Sequence, residues 1–220
     1  GSTDWWETEI NAAADFFTND MGVTTSRQWG FRTPFLKYNV NTFEALLNLE
    51  MTYDCSVEYG YNVYPTDPET GESYHWPYTL DSGPPEGSST TWGITFTAPG
   101  LWEFPVYTYN RPNGDQVSTI TGFDFNLWKQ ASDEEDFLAT IKFSFDQRYE
   151  GNRSPFCFNG HTDYYSSGNP YDDPEFPCDD YMKRRWAVEE FLDYVLSFEE
   201  VRVVPFVTVI RWMIEPEPLD

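Results

Sequence analysis

The sequence predicts an α/β fold that is built from parallel βα units. Short segments that are apolar on both faces alternate along the chain with longer segments whose apolar residues recur at helical spacing. This alternation is typical of units in which a helix connects one strand to a parallel neighbour. The length of 220 residues fits one domain, and the 40 % of hydrophobic residues is sufficient for a packed core. We expect a single domain over residues 3–220, because Gly1-Ser2 resembles an expression-tag remnant.

The first part of the chain is predicted to run helix, strand, helix, strand. Asp4 is expected to cap a first helix that continues to Phe17, and Thr42 is expected to open a second helix. The two strands are expected at residues 28–31 and 51–57. Residues 58–100 then lose all periodicity and are rich in Pro, Gly, Ser, Thr and Tyr, which predicts a loop insertion that serves as a lid or wall.

Regular patterns return after residue 100. The predicted elements are, in order, a strand at 101–109, a turn at 111–114, an irregular segment up to Lys129, a helix from Asp133 to Tyr149, a strand at 155–160, a helix at 181–198, a strand at 201–204 and a helix at 208–214. In parallel βα folds, the loops that follow the strands carry the functional residues. The aromatic-rich loops are therefore expected at one end of the sheet.

The charge of the chain excludes one large class of partners. There are 37 acidic and 13 basic residues, which give a net charge of −24, and such a protein repels nucleic-acid backbones. No apolar run reaches the ~18 to 20 residues that span a bilayer, so membrane insertion is not expected.

The three cysteines allow at most one internal disulfide. They are Cys55, Cys157 and Cys178, and we favour the pair Cys157–Cys178 because a single loop joins them. The few lysines, the many aromatic residues and the sequon at Asn152 favour a secreted, extracellular protein. Pro155, which follows the sequon, lowers the expectation of glycosylation there.

Several segments together resemble the polysaccharide deacetylase family, that is, the NodB-homology domain of carbohydrate esterase family 4. The resemblance is strongest to the chitin-deacetylase-like branch, and the order and spacing of the segments carry it. They are Gly30-Phe31-Arg32-Thr33-Pro34-Phe35-Leu36, Tyr53-Asp54-Cys55-Ser56, Trp76-Pro77-Tyr78-Thr79-Leu80, Gly100-Leu101-Trp102-Glu103-Phe104-Pro105-Val106, Asn152-Arg153-Ser154-Pro155, His161, Val204-Pro205-Phe206-Val207-Thr208 and Arg211-Trp212-Met213.

The resemblance implies a partial or distorted (β/α) barrel with long aromatic-rich loop insertions. It also implies the removal of acetyl groups from a polysaccharide such as chitin, with zinc or another divalent metal in an Asp-His-His site. The two motifs that supply those ligands do not occur in this sequence, and His75 and His161 lie far apart, so we expect no metal cofactor in this chain. A non-catalytic carbohydrate-binding or structural secreted relative is the alternative function. Self-association to complete the barrel is a further expectation.

The resemblance assigns catalytic roles to three positions. Arg32 matches an arginine that contacts the catalytic carboxylate, and His161 matches the histidine that acts as general acid. Asp124, with Trp128, is the better match to the motif that orients this histidine, and Trp102 is the other candidate. We expect Arg32 to be buried beside an acid, with Asp124 favoured. The ordinary alternatives are that Arg32 is a strand-end arginine paired with an acid, and that His161 only satisfies a hydrogen bond in a loop.

A saccharide groove would need aromatic side chains near His161. Saccharide rings present flat C–H faces to aromatic rings, so the expected partner is a polysaccharide or chito-oligosaccharide. An indole packed in the protein wall is the more common situation for any single tryptophan. The expected substrate-binding residues are Trp76, Tyr78, Trp102, Trp128 and Tyr164.

Overall fold

The chain forms two compact units of mixed helix and strand. The computed structural model describes residues 1–59, 74–85, 88–89, 95–112, 116–167 and 180–217. The first unit consists of Gly1–Glu58, Trp76–Pro105 and Pro205–Glu217, and the second of Tyr59–His75, Val106–Val204 and Pro218–Asp220. The organisation as a single domain over residues 3–220 stays a prediction.

The described residues contain the following regular elements. The α-helices are α1 (Thr3–Asn19), α2 (Val40–Asn48), α3 (Phe125–Gln130), α4 (Glu134–Glu150), α5 (Tyr181–Leu196) and α6 (Phe206–Ile214). The strands are β1 (Gly30–Phe31), β2 (Tyr53–Asp54), β3 (Glu58–Tyr59), β4 (Tyr78–Leu80), β5 (Ser88–Ser89), β6 (Ala98–Glu103), β7 (Val106–Asn110) and β8 (Gln116–Thr121). None of the helices among these residues is both long and apolar enough to cross a membrane.

The first unit is organised around a four-stranded sheet of order β1-β2-β6-β4. Strands β1, β2 and β6 are parallel, as the βα pattern predicts, and β4 pairs antiparallel with β6. The carboxyl ends of β1, β2 and β6 therefore meet at one edge of the sheet. The sheet is open, so the predicted barrel is not confirmed. Strand β4 and the start of β6 also show that part of the predicted insertion at 58–100 belongs to the sheet.

Both predicted helix starts in this unit are displaced. The cap of α1 is Ser2, whose hydroxyl accepts a hydrogen bond from the Trp5 backbone N–H, and Asp4 lies in the first turn, where an acid also favours the helix. The cap of α2 is Asn39, which forms a reciprocal capping box with Thr42. Thr42 is thus the third helical residue, and its hydroxyl satisfies the cap backbone.

The core of the first unit lies between the helices and the sheet. The rings of Phe43 and Phe96 stack with centroids 3.9 Å apart, and Leu46 and Leu80 are fully buried beside them. The ring of Phe206, which opens α6, stacks on Phe104 at 4.2 Å. Burial of these side chains is the main stabilising contribution to this unit.

The second unit packs three helices beside the antiparallel pair of β7 and β8. Asp133 caps α4 as predicted, since its carboxylate accepts a hydrogen bond from the backbone N–H of Asp136. The predicted strand at 101–109 divides into β6 and β7, because Pro105 has no N–H and interrupts the ladder. Strand β8 and helix α3 occupy the segment that was predicted to be irregular.

Two predicted strands are absent from the structure. Residues 155–160 and 201–204 are described, but neither segment pairs with a strand. Residues Val203 and Val204 are exposed and precede Pro205, so their apolar character does not reflect burial in a sheet. The predicted disulfide includes Cys178, which lies outside the described residues, as do positions 113 and 114 of the predicted turn.

Candidate functional site

His161 and Asp124 form a hydrogen-bonded pair in the second unit. The ring Nδ1 of His161 lies 2.9 Å from Oδ1 and 3.1 Å from Oδ2 of Asp124, and the His161 backbone N–H donates to Oδ2. The carboxylate is only 4 % exposed, whereas the imidazole is 64 % exposed. A buried acid thus holds an accessible histidine by both its backbone and its ring.

Local backbone geometry places the two residues together. Asp124 sits between β8 and α3, and its carbonyl accepts a hydrogen bond from the Trp128 N–H at 2.8 Å, which fixes the start of the helix. His161 precedes a short 3₁₀ turn over Thr162–Tyr165. A Cβ at Gly160 would lie 3.2 Å from Oδ2 of Asp124, so a glycine at this position leaves room for the carboxylate.

The hydrogen bond to Asp124 occupies Nδ1 of the His161 ring and leaves Nε2 available to a ligand. Asp124 accepts from Nδ1–H, which selects the tautomer whose Nε2 exchanges a proton with a ligand. When the ring takes a second proton, the same carboxylate stabilises the imidazolium. A buried acid that holds an exposed imidazole is suited to proton transfer.

A shallow cavity of about 210 Å³ borders the imidazole. Its walls include the rings of Phe123, Phe158 and Tyr165, together with Val188. Burial, and then the neighbouring charge of Asp124, raise the pKa of the Tyr165 phenol, so this hydroxyl stays neutral and accepts from Trp128 Nε1 at 3.4 Å. The site therefore combines one exposed proton-transfer group with an apolar wall.

Two of the predicted substrate-binding residues do not line this surface. Trp128 is 0 % exposed and stacks on Phe137 with ring centroids 3.6 Å apart, so its ring packs in the core. Tyr164 is also buried, and its ring meets the His161 imidazole edge-on at 5.5 Å. Trp128 and Tyr164 therefore pack beneath the site in the core, and neither ring is exposed enough in this conformation to stack on a sugar.

The remaining predicted residues belong to the first unit. Arg32 follows β1 and is half-buried rather than buried, and within that unit no described carboxylate pairs with it. Trp76 stacks on Trp212 at 6.1 Å, while Tyr78 on β4 and Trp102 on β6 are half-buried. A groove that combines these side chains with His161, and the contact of Arg32 with Asp124, stay predictions.

Sequence reasoning missed a pair of buried acids in the first unit. Asp54 ends β2 and Glu103 ends β6, and the parallel register places the two residues side by side. Both are fully buried, and their carboxyl groups are in contact. Both acids lie inside segments that were predicted to be strands, 51–57 and 101–109, so the sequence placed each acid on a strand but did not give the register that pairs them.

Burial shifts the pKa of both acids in the same direction. The pKa of Asp54 is raised to about 6, mainly by desolvation, although hydrogen bonds from Ser56 oppose the shift. The pKa of Glu103 is raised further above its usual range by desolvation and by the charge of Asp54. Asp54 therefore ionises first, and Glu103 keeps its proton to a higher pH than an ordinary glutamate.

A Glu103→Gln variant is expected to remove part of the pH dependence of stability. A carboxyl group whose pKa is higher in the folded state stabilises the fold below its unfolded pKa of about 4.3, and this contribution is lost as the pH rises. The unfolding free energy of the parent should fall above that pH by up to about 1.4 kcal/mol per pH unit, and more steeply than that of the variant. Urea unfolding at several pH values measures both slopes.

The exposed acid Glu9 provides the matched control for this measurement. Glu9→Gln makes the same substitution at an exposed position without touching a buried group, so its stability should follow the pH profile of the parent. Equal slopes for the parent and Glu103→Gln would contradict the assignment of the proton.

The described residues do not fit the metal site that the resemblance implies. Within the ranges that the structure describes, no three side chains of His, Cys, Asp or Glu lie close enough together to hold a metal ion. Nδ1 of His161 is already committed to Asp124. We therefore derive no chemical step through a metal from these residues.

Comparison with known proteins gives one relationship that agrees with these features. The chain is 30 % identical over 192 residues to Chitin deacetylase 8 of Bombyx mori. The chain is a relative of the chitin deacetylases. This confirms the resemblance to the polysaccharide deacetylases that the motifs indicated. The match covers 87 % of this chain and 44 % of that protein, so the chain spans less than half the length of this relative. No family model matches the chain.

Proposed function

We propose that this chitin-deacetylase-like chain binds a glycan that contains N-acetylglucosamine, and that His161 acts there as the general acid of deacetylation. The observation that carries the proposal is the exposed His161 imidazole, held through Nδ1 by the buried Asp124. The relationship to a chitin deacetylase supports the choice of glycan. The same relationship, with the composition, supports a secreted location.

The proposed proton transfer follows from the chemistry of amide hydrolysis. Water adds to the acetyl carbon, the C–N bond breaks, and acetate leaves while the sugar nitrogen gains a proton. His161 would donate this proton from Nε2–H, because the neutral sugar amine is a far better leaving group than the same nitrogen without the proton. Asp124 would stabilise the imidazolium before the transfer. The pair supplies the leaving-group proton only, and the group that activates water is not one of these two residues.

Glycan binding without hydrolysis is the second candidate. It is favoured by the lack of a metal-binding cluster among the described side chains. Both candidates place the sugar beside His161 and its apolar wall, so binding is the property to measure first.

Titration with chitotetraose should perturb the backbone amides near His161. We expect a dissociation constant of ~0.1–1 mM, as for a shallow and wet site. The measurement is a series of ¹⁵N–¹H NMR spectra, in which residues 160–165 should shift. Cellotetraose, which lacks the acetamido group, should bind at least about tenfold more weakly, because a hydrogen-bonding substituent is missing.

A His161→Ala variant provides the site-specific control. Because the ring is mostly exposed, the variant should fold and lose the shifts. If no amide of the parent moves at ~10 mM oligosaccharide, well above the expected range, glycan binding is refuted and a structural role takes its place. Equal affinity for both oligosaccharides would refute recognition of the acetamido group.

A further inference from the structure

A chain of hydrogen bonds connects the buried acids to the segment that carries Arg32. The Ser56 hydroxyl lies 2.9 Å from Oδ1 of Asp54, and the Ser56 N–H donates to Oδ2 at 2.8 Å. The same hydroxyl accepts from the backbone N–H of Thr33 at 2.8 Å and lies 3.1 Å from the Thr33 hydroxyl. Thr33, Ser56, Asp54 and Glu103 are all buried, so no part of this chain is solvated.

The direction of the hydrogen bonds identifies which acid is charged. The single Ser56 hydroxyl proton is best donated to a carboxylate, which leaves its oxygen to accept from both Thr33 groups. Asp54 thus receives two donors from Ser56. Glu103 receives the Val57 N–H at Oε1, 3.0 Å away, and a further backbone hydrogen bond from Ser56, while no described donor faces its Oε2. A proton on Glu103 therefore satisfies the contact between the two acids.

The segment that this chain holds has an unusual backbone. Phe35 and Leu36 follow Arg32 and Thr33, and their φ angles are +56° and +54°. Two consecutive residues with side chains rarely adopt this left-handed region, and such strain persists only where the surroundings impose it. Phe35 is also 90 % exposed, so its own packing does not impose the conformation. The Leu36 N–H donates to the Thr33 carbonyl at 2.9 Å, and Thr33 is in turn held by its buried bond to Ser56.

We propose that Asp54 and Glu103 are positioning residues that share one proton and fix, through Ser56 and Thr33, the backbone that presents Arg32. The carboxyl ends of β1, β2 and β6 meet at this edge, so one proton sets the geometry of the strand-end segment. Loss of this proton places two negative charges in contact and loosens the anchor. The effect on Thr33 does not depend on the proposed function.

The groups that face the pair are few. Tyr53 and Cys55 flank Asp54 on β2, and Tyr78 of β4 is in register with Glu103. Burial raises the pKa of Tyr53, so this phenol is neutral where Glu103 titrates. The charged group nearest in sequence to the anchor is Arg32 itself. Besides burial, the shifts of the two acids arise mainly from each other and from Ser56, Cys55 and Val57.

The test follows the Glu103 carboxyl group and the Thr33 and Ser56 amides in the same pH titration. Protein labelled with ¹³C at the glutamate carboxyl carbons and with ¹⁵N throughout is examined by NMR from pH 5 to pH 10. We expect Glu103 to titrate well above the usual glutamate value of about 4.3, and the Thr33 and Ser56 amides to shift with the same midpoint. Glu103→Gln should remove the amide transition, and Glu9→Gln should leave it unchanged.

A Ser56→Ala variant separates positioning from simple packing. It removes the hydroxyl that joins Asp54 to Thr33, so Glu103 should still titrate at high pH while the Thr33 amide no longer follows it. A Thr33 amide that follows Glu103 in this variant would overturn the proposal. The proposal also fails if Glu103 of the parent titrates near 4.3, or if the parent Thr33 amide does not move. The parent titration decides the question even where a variant does not fold.

Chitotetraose binding at each pH provides the link to the proposed function. No binding at any pH would refute the proposed function, and the NMR titration would still decide whether the proton holds the segment.

Discussion

Replacing Asp124 with asparagine is expected to reverse the tautomer of His161 and to abolish its role as a proton donor. The carboxylate accepts from both the backbone N–H and Nδ1–H of His161, whereas an amide has one acceptor oxygen. The backbone N–H cannot change, so the amide oxygen should face it and the amide NH₂ should face Nδ1. The neutral ring must then carry its proton on Nε2, and the amide NH₂ cannot accept the Nδ1–H of the imidazolium, which is the form that acts as proton donor.

Long-range ¹⁵N–¹H NMR correlations of the imidazole measure this change directly, because the two ring nitrogens have distinct shifts in each tautomer. In the parent we expect Nδ1–H, and in Asp124→Asn we expect Nε2–H. In a form of the protein that deacetylates chito-oligosaccharides, the same change should lower kcat by about 10²–10⁴-fold, the usual contribution of a positioned general acid.

Asp133→Asn is the matched control. It removes one acidic charge from the same unit, and asparagine caps a helix as well as aspartate does, so α4 should be retained. The tautomer and any activity should equal those of the parent. A parent histidine that is already in the Nε2–H form would contradict the geometry on which the proposed function rests.

Local patterns predicted the long helices well and the strands poorly. The start of α4 at Asp133 and the start of α5 follow from periodicity and capping, which depend on neighbouring residues. Strands exist only through their partners. In residues 155–160, Phe156 packs on the core and Phe158 is exposed, and the segment joins no sheet, whereas β8 lies in a segment without clear alternation.

The same distinction applies to the site. The match of His161 and Asp124 to family motifs predicted a pair that the structure brings to 2.9 Å. No local pattern distinguishes an exposed indole from the buried ring of Trp128, since that depends on how α3 packs against α4. The pair of Asp54 and Glu103 required the register of two strands that are separated by more than forty residues in the sequence.

Arg148→Ala is expected to cause one of the largest losses of stability in the second unit. The side chain is 1 % exposed, and its guanidinium carbon lies 4.0 Å from the ring centroid of Tyr74 and 4.4 Å from that of Tyr107. Truncation removes these cation–π contacts and leaves a cavity of nearly the whole side chain. Together the two effects should lower the unfolding free energy by about 3–5 kcal/mol.

Arg148→Met tests whether volume or charge matters more. Nη1 donates to the Ser144 carbonyl at 2.7 Å, but Nε and Nη2 have no acceptor among the described residues. An unbranched apolar side chain fills similar space and removes these unsatisfied donors, so its cost should stay below about 1.5 kcal/mol.

The exposed Arg185→Ala is the control and should change stability by less than about 0.5 kcal/mol. Guanidinium unfolding followed by far-UV circular dichroism measures all three variants. If Arg148→Met costs as much as Arg148→Ala, the cation over the tyrosine rings, and not the filled volume, stabilises this core.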